Sequence, residues 1–439
     1  MEGTMAETSS SKHVSTKQHR IAELAKQMPG TVITTLSHHM DQGWMQEAHR
    51  QTRKDGAVGV DGKTAQAYGE HLEGNLEDLL NRAKSGSYFA PPVRRVHLPK
   101  DGGKTRPIGI PTYEDKVLQR AVLMLLEPVY EQDFVDCSYG FRPGRGAHQA
   151  LEAFWQQAMN MGGGWVLEVD IQSFYDTLDH GHLREFLQLR VRDGVVTRLI
   201  GKWLNAGVME AGQVTHPEQG TPQGGVISPL MANIYLHVVL DEWWEKQVKP
   251  RLRGRAFEVR YADDVVLCFE REEDARKVME VLPKRLDKYG LKLHPEKTRL
   301  VPFGQPREGG PDPGSFDFLG FTHYWGKSRK GNPVIRRKTS KQRLARTLSR
   351  INQWCRANRH ERLTDQHRML SQKLRGHYGY FGITANMRAL EQCRYRVERM
   401  WRKWLSRRSQ RGRVTWERFK RWPERFQLPK PRIYHSAVT

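Results

Sequence analysis

Two short runs of strand-forming residues, Phe257 to Tyr261 and Val265 to Phe269, are separated only by Ala262-Asp263-Asp264. Apolar and aromatic residues on both sides of so short an interruption predict a tight hairpin with two carboxylates at its tip. Adjacent like charges on a turn are unfavourable without a cation, which favours a hard, oxygen-preferring ion such as Mg²⁺. A third carboxylate belongs with them. Val166 to Ile171 alternates apolar and acidic residues, as a half-buried strand does, and carries Asp170 near its end. Ninety-three residues separate Asp170 from Asp263, so only the fold can bring them together, with the two strand elements adjacent in one sheet.

The charge of the chain is just as unevenly placed. Lys and Arg number 72 against 49 Asp and Glu, a net of +23. From Lys327 to Thr439 there are 32 basic and 6 acidic residues, so the rest of the chain is close to neutral. Trp354, Trp401, Trp404, Trp416 and Trp422 are interleaved with these cations. Cations that neutralise phosphates, beside flat rings that stack on unpaired bases, predict a nucleic-acid partner. A solvated helical surface explains any one of these residues but not the block.

Four scattered cysteines, Cys137, Cys268, Cys355 and Cys393, offer no C-x-x-C pair, and the N-terminus has no secretory signal. That predicts a reducing cytoplasm, with the protein bound to nucleoid or ribonucleoprotein, and argues against a zinc site. The longest uncharged stretch, Gln219 to Leu240, contains Pro222, Gln223, Pro229 and Asn233 and reads as a loop and helix, so no membrane span is expected. His180 and His182 lie at a helix start with no third ligand nearby and read as capping or solvated residues.

Along the chain, residues 1–30 are polar and without apolar period, which predicts a disordered tail. Residues 31–92 read as a helical extension broken by the Gly-rich run Asp55 to Gly62. Val93 to Leu98 is a strand running into the turn Asp101-Gly102-Gly103, and a long helix occupies Thr112 to Tyr130. After Gly326 the pattern is helical over 327–405, and a basic tail, 406–439, ends the chain.

The ordered series LEVDIQSFYDTLDH (167–180), GTPQGGVISPLMANIYL (220–236), RYADDVVL (260–267), GLKLHPEKTRLV (290–301) and FDFLGF (316–321) resembles the palm motifs of reverse transcriptases. GAVGVDG (56–62), RRVHLPKDGGKTRPIGIPTYEDKVLQRAV (94–122) and CSYGFRPGRGAHQAL (137–151) are similar to the group II intron branch. The resemblance spans roughly residues 35 to 385. It implies an α+β, right-hand polymerase: fingers and palm with antiparallel sheet over 93–326, then an α-helical thumb or maturase domain, where LRGHYGYFG (374–382) matches a characteristic stretch.

By the same resemblance, Asp170, Asp263 and Asp264 would be the catalytic carboxylates holding two Mg²⁺ ions, with Mn²⁺ as a substitute. Lys297 would donate a proton to the leaving pyrophosphate. Lys100, Arg106, Tyr175 and Gln223 would bind the nucleotide, Tyr175 clashing with a ribose 2′-hydroxyl and so selecting dNTPs. Phe318, Leu319 and Gly320 would form the primer grip. Gly59 in the N-terminal lid, Arg142, Arg145, Arg375 and Tyr378 would contact template or intron RNA. The partners implied are an RNA template with its primer, dNTPs, group II intron RNA and target DNA; many relatives continue into a DNA-binding segment and endonuclease, so target cleavage is not expected of a chain stopping at Thr439.

Three readings stay open on sequence: an intron-encoded polymerase and maturase, a splicing cofactor whose polymerase has lapsed, and a domesticated reverse transcriptase serving defence or repair. Intact Asp170, Tyr175, Asp263 and Asp264 speak against the second. The oligomeric state is not encoded in any motif.

Overall fold

The computed structural model describes residues 2–99, 105–210, 212–215, 219–221, 224–307, 312–408, 414–422 and 426–436; Lys100 and Gln223 therefore lie outside the described residues. In chain order the strands are β1 Val93–Pro99, β2 Thr105–Ile110, β3 Trp165–Asp170, β4 Val208–Glu210, β5 Gln213–Thr215, β6 Ala256–Tyr261, β7 Asp264–Phe269, β8 Arg299–Pro302, β9 Phe316–Phe318, β10 Phe321–Lys327 and β11 Pro333–Thr339. They form three sheets, ordered β2-β1-β4-β5, β6-β7-β3-β8 and β11-β10-β9. In the first and third of these the strands pair antiparallel, except that β1 runs parallel to β4. The fold is α+β, as the motif order implies.

The chain divides into two compact units. One comprises Met1–Gly146, Val169–Val265 and Arg276–Arg299; the other comprises Ala147–Glu168, Val266–Ala275 and Leu300–Thr439. The boundary expected between 326 and 327 falls inside β10, which pairs with β11 from Phe321↔Thr339 to Lys327↔Pro333.

At the centre of the first unit is the helix Tyr113–Tyr130, buried on nearly every face. Thr112 caps it by accepting from the Asp115 N–H, and Glu114 and Asp115 sit in its first turn, where the helix dipole favours acid. Asp115 is itself buried, and its carboxylate accepts from the Tyr88 hydroxyl, the Trp203 indole and Gln119. Three donors satisfy an acid that would otherwise be costly to bury.

The N-terminal tail departs from expectation. Glu2–Gln27 is a helix, and Val14, Ile21 and Ala25 on it are buried. Their spacing of seven and four residues makes a narrow apolar stripe that the surrounding Ser, Lys and Gln conceal in composition. Gln18 donates to the Met124 carbonyl (3.2 Å), Lys17 pairs with Asp41, and Arg190 collects the carbonyls of Ala25, Met28 and Thr31.

The second unit holds a helical cluster built from Lys341–Ala357, Leu363–Phe381 and Met387–Leu405. Leu348, Ile351, Leu370, Leu374, Leu390, Val397 and Trp401 form its core. No helix among the described residues is long and apolar enough to cross a membrane.

Asp193 fastens the entry to the first unit. Its carboxylate accepts four backbone N–H groups, from Leu36 (2.7 Å), Ser37 (2.8 Å), Val195 and Val196 (both 3.0 Å). Burial pushes its pKa up, but the backbone donors at Ser37, Leu36 and Val196 win and hold it below the usual carboxylate range. A carboxylate with a depressed folded pKa stabilises the fold above its unfolded value, about 3.9, and loses that contribution as pH falls through the folded value. Asp193→Ala is expected to cost about 2–4 kcal/mol in urea unfolding at pH 7, with the gap to wild type narrowing below about pH 4.

Candidate active site

β6 and β7 form the expected hairpin, with Ala262 and Asp263 as its turn and Asp264 opening β7. In the sheet the neighbour of β7 is β3, which ends on Asp170. Asp170 and Asp264 thus sit on adjoining strands, with Asp263 in the turn next to Asp264. β7 is buried from Val265 to Phe269, so the hairpin is anchored by apolar packing up to its acidic end.

Asp170 is more than a third exposed and meets a cation already: Lys297 Nζ lies 3.3 and 3.2 Å from its two oxygens. The segment carrying Lys297 is pinned there, because the His294 N–H donates to the Asp170 carbonyl (2.8 Å) and Ile171 bridges Leu293. The residues fit a divalent cation by their chemistry, because three carboxylates offer only oxygen.

Tyr175 lies on the short helix Phe174–Thr177, buried to within 7 %. Burial raises its pKa to about 12, with the Asp263 carboxylate adding to the shift and Arg106 opposing it. Tyr175 therefore sits within the electrostatic reach of both the hairpin acid and the β2 cation. Its neighbour Asp176 is also pushed up by burial and held back by Arg95 and Arg106. Arg95, Pro107, Gly109, Asp176, Gln219 and Gly220 line one cleft of about 280 Å³. The Gly-rich loop closes on the same place. Thr221 N–H donates to the Tyr175 carbonyl (2.8 Å), and at Gly224, φ 122°, a Cβ would meet the Gly109 carbonyl at 2.5 Å. Only glycine allows that approach.

His180 is explained without metal, since its Nε2 meets the Gly220 carbonyl at 2.6 Å. His182 packs on Phe186 and Tyr289. Phe318 is buried, and Leu319 and Gly320, both at positive φ, turn β9 into β10 in the second unit.

Four expected contacts need correction. Arg142 has no surface for a phosphate: its side chain is 2 % exposed, forks onto Glu131 (3.0–3.1 Å) and donates to the Val135 and Ser138 carbonyls. Arg145 is committed to Asp136 (2.6 Å) and lies over the Tyr139 ring. Gly59 is buried because its backbone abuts Thr112, where a Cβ would come within 2.6 Å of the Thr112 Cα and N. Tyr378 belongs to the helical core, its hydroxyl donating to the Pro429 carbonyl (3.2 Å), while Arg375 on the same helix is exposed.

Sequence reasoning missed what lies behind the hairpin. Arg260, wholly buried, forks onto Asp241 (2.7 Å from Nε, closer still from Nη2 at 2.5 Å), and its Nη1 reaches Asn233 Oδ1 (3.0 Å) and the Ala262 carbonyl (3.2 Å). Asp241 sits in a wide helical turn, His237–Asp241, that continues the helix Ser228–Leu236. Burial opposes its charge, but Arg260 holds its pKa below the usual range. Glu258 and Cys137 sit alongside, ligand atoms within 4.8 Å of Asp241, and burial pushes both of their pKa values up. With Arg260 on both Asp241 oxygens, this cluster already has its cation. The available signal was a Glu and an Arg two apart in β6, hence on one face of a strand.

Comparison with known proteins agrees with this geometry. Residues 98–323 match the family described as reverse transcriptase (RNA-dependent DNA polymerase). The chain is 34% identical over 330 residues to protein YkfC of Escherichia coli (strain K12), covering 65% of this chain and 84% of that protein. It is 36% identical over 239 residues to the group II intron-encoded protein LtrA of Lactococcus lactis subsp. cremoris, covering 52% of this chain and only 39% of LtrA. An uncharacterized 91 kDa protein in the cob intron of Schizosaccharomyces pombe is 32% identical over 225 residues, half of this chain and 28% of that protein.

Removing one partner of a buried ion pair leaves the other charge stranded. Arg260→Ala is expected to lower stability by about 3–5 kcal/mol in urea unfolding, whereas Arg260→Met combined with Asp241→Leu loses clearly less.

Proposed function

Because the chain belongs to the reverse transcriptase family, we infer that it is of the group II intron-encoded branch and extends a primer with dNTPs along an RNA template. The observation that carries this reading is that β3, which ends on Asp170, neighbours β7, which opens on Asp264 next to Asp263 in the hairpin turn, with Tyr175 buried and within the electrostatic reach of Asp263.

Asp170, Asp263 and Asp264 would hold two Mg²⁺ ions, or Mn²⁺ in their place. When bound, such ions lower the pKa of the attacking 3′-hydroxyl and stabilise the leaving pyrophosphate. The protein's own residues do the rest. Arg106 on β2, whose charge acts on Tyr175, suits the triphosphate of the incoming nucleotide; Lys100 and Gln223 belong to the same proposal by sequence. Lys297, against Asp170, is the candidate proton donor to the leaving group. Tyr175, held by its backbone bond to Thr221, excludes a ribose 2′-hydroxyl. Phe318, Leu319 and Gly320 serve as the primer grip.

The helical cluster of the second unit is the proposed grip on intron RNA, as the group II resemblance suggests. The helix Met387–Leu405 turns Val397, Trp401 and Leu405 inward and leaves Arg388, Arg396, Arg399 and Lys403 exposed. Arg375 is also exposed, on the helix Leu363–Phe381. Assistance to splicing and capture of target DNA are parts of this proposal, as is residence with nucleic acid in a bacterial cytoplasm.

Two outcomes are expected. In primer extension on an RNA template, wild type uses dNTPs and rejects rNTPs, and Tyr175→Ala admits rNTPs; unchanged selectivity would remove Tyr175 from the role. Affinity for structured RNA falls steeply with salt, and changing Arg396, Arg399 and Lys403 to Gln reduces the slope of log K against log [salt] by about 1 for each phosphate no longer neutralised, measured by filter binding.

A further inference from the structure

The loop in which sequence placed two arginines for phosphate buries Arg142, ties Arg145 to Asp136 and puts a phenylalanine outward. Residues 137–140 run alongside β6: Arg260 N–H donates to the Cys137 carbonyl and Tyr139 N–H to the Arg260 carbonyl, both 2.8 Å. Gly140 then touches the hairpin turn itself, where a Cβ would stand 2.3 Å from the Ala262 nitrogen. Its carbonyl accepts from Asn233 Nδ2 at 2.7 Å. On the other side Arg142 is locked by Glu131, Val135 and Ser138.

Phe141, fixed from both sides, adopts φ 56°. A bulky side chain in this left-handed region is strained, a cost glycine escapes; Gly144, at φ 69°, fills the same need three residues on. The ring recovers little of that cost by burial, being 56% exposed. Its aromatic neighbour is Tyr261, with centroids 6.1 Å apart. A strained, solvent-facing aromatic ring is thus fastened, through Gly140, to the turn that carries Asp263.

We propose that Phe141 is a contact surface for the primer–template duplex, its ring packing on the bases or sugars of the duplex end brought to the hairpin. The proposal rests on the polymerase reading. A primer 3′-hydroxyl has to reach Asp170 and Asp263, so the duplex end must pass beside a side chain fastened to that turn. A flat apolar ring accepts any base, as an enzyme copying arbitrary sequence requires, and this one is held in place before binding. As a positioning residue it acts on the duplex rather than on the reacting atoms.

The test uses the full chain and a fluorescent DNA primer annealed to an RNA template. Release of the duplex into a competitor trap, KM for dNTP and urea stability are measured for wild type, Phe141→Ala, Phe141→Gly and Phe141→Trp. Phe141→Ala and Phe141→Gly are expected to release the duplex roughly 5- to 100-fold faster, with a smaller change in KM for dNTP. Phe141→Trp holds near wild type, and Phe141→Gly is at least as stable as wild type because the backbone strain is relieved. Wild-type release rates in both small-side-chain variants, with extension intact, would overturn the inference alone. Faster release that merely follows reduced stability would overturn it too. A wild-type protein that does not extend the primer would overturn the polymerase reading, and this inference with it.

Discussion

One buried ion pair carries the hairpin on which everything else depends. Arg260 and Asp241 are both fully buried, and the guanidinium they share with Asn233 also holds the Ala262 carbonyl at the hairpin turn. Taking such charges out of water is costly and tends to be neutral for stability at best. What this pair supplies is position. Asp263 and Asp264 repel one another, and a turn bearing them would relax outward without a fixed support. Arg260 ties that turn to the helix Ser228–Leu236 through Asn233 and to its continuation through Asp241. The same residue orders the Cys137–Gly140 segment through its backbone. Helix, hairpin and loop are therefore set relative to one another by a single side chain and its two peptide groups.

The hairpin, β3 and the long helix Tyr113–Tyr130 were legible in the sequence because their signals are local. A period of two, a two-residue turn and a Thr cap act over a few residues. The strand that ends on Asp170 was legible for the same reason, and Tyr175 follows five positions on in the same motif, on the helix Phe174–Thr177. What escaped was long-range. Nothing near Arg142 reveals that Glu131 will bury it, and a basic residue in a Gly- and Pro-containing loop looks like a solvated one. Tyr378 sits in a stretch of aromatic and basic residues that can serve RNA or a core equally well, and helix packing chose the core. The N-terminal helix was hidden because three buried residues in a polar segment make a weak pattern until a partner helix is there to cover them. Lys297 was identified by its motif, but its contact with Asp170 across 127 positions exists only through topology.

The excess positive charge obeys a simpler rule. Counting residues along the chain locates it, and the helices of the second unit explain how it coexists with folding. Leu, Val and Trp at helical spacing offset the conformational entropy of ordering, and Arg and Lys occupy the outer faces, where their like charges repel least. The carboxylates are gathered on adjoining strands, and the exposed cations crowd the helices of the second unit.

On the proposed function, the hairpin carboxylate acts in metal-dependent DNA synthesis on RNA. Its most direct test is Mg²⁺-dependent extension of a DNA primer on an RNA template with dNTPs, by wild type and by Asp263→Asn of equal stability. Full-length cDNA is expected from wild type, and a loss of at least about 10³-fold in the variant, on the order of 4 kcal/mol of transition-state stabilisation. Equal synthesis by both proteins would contradict it.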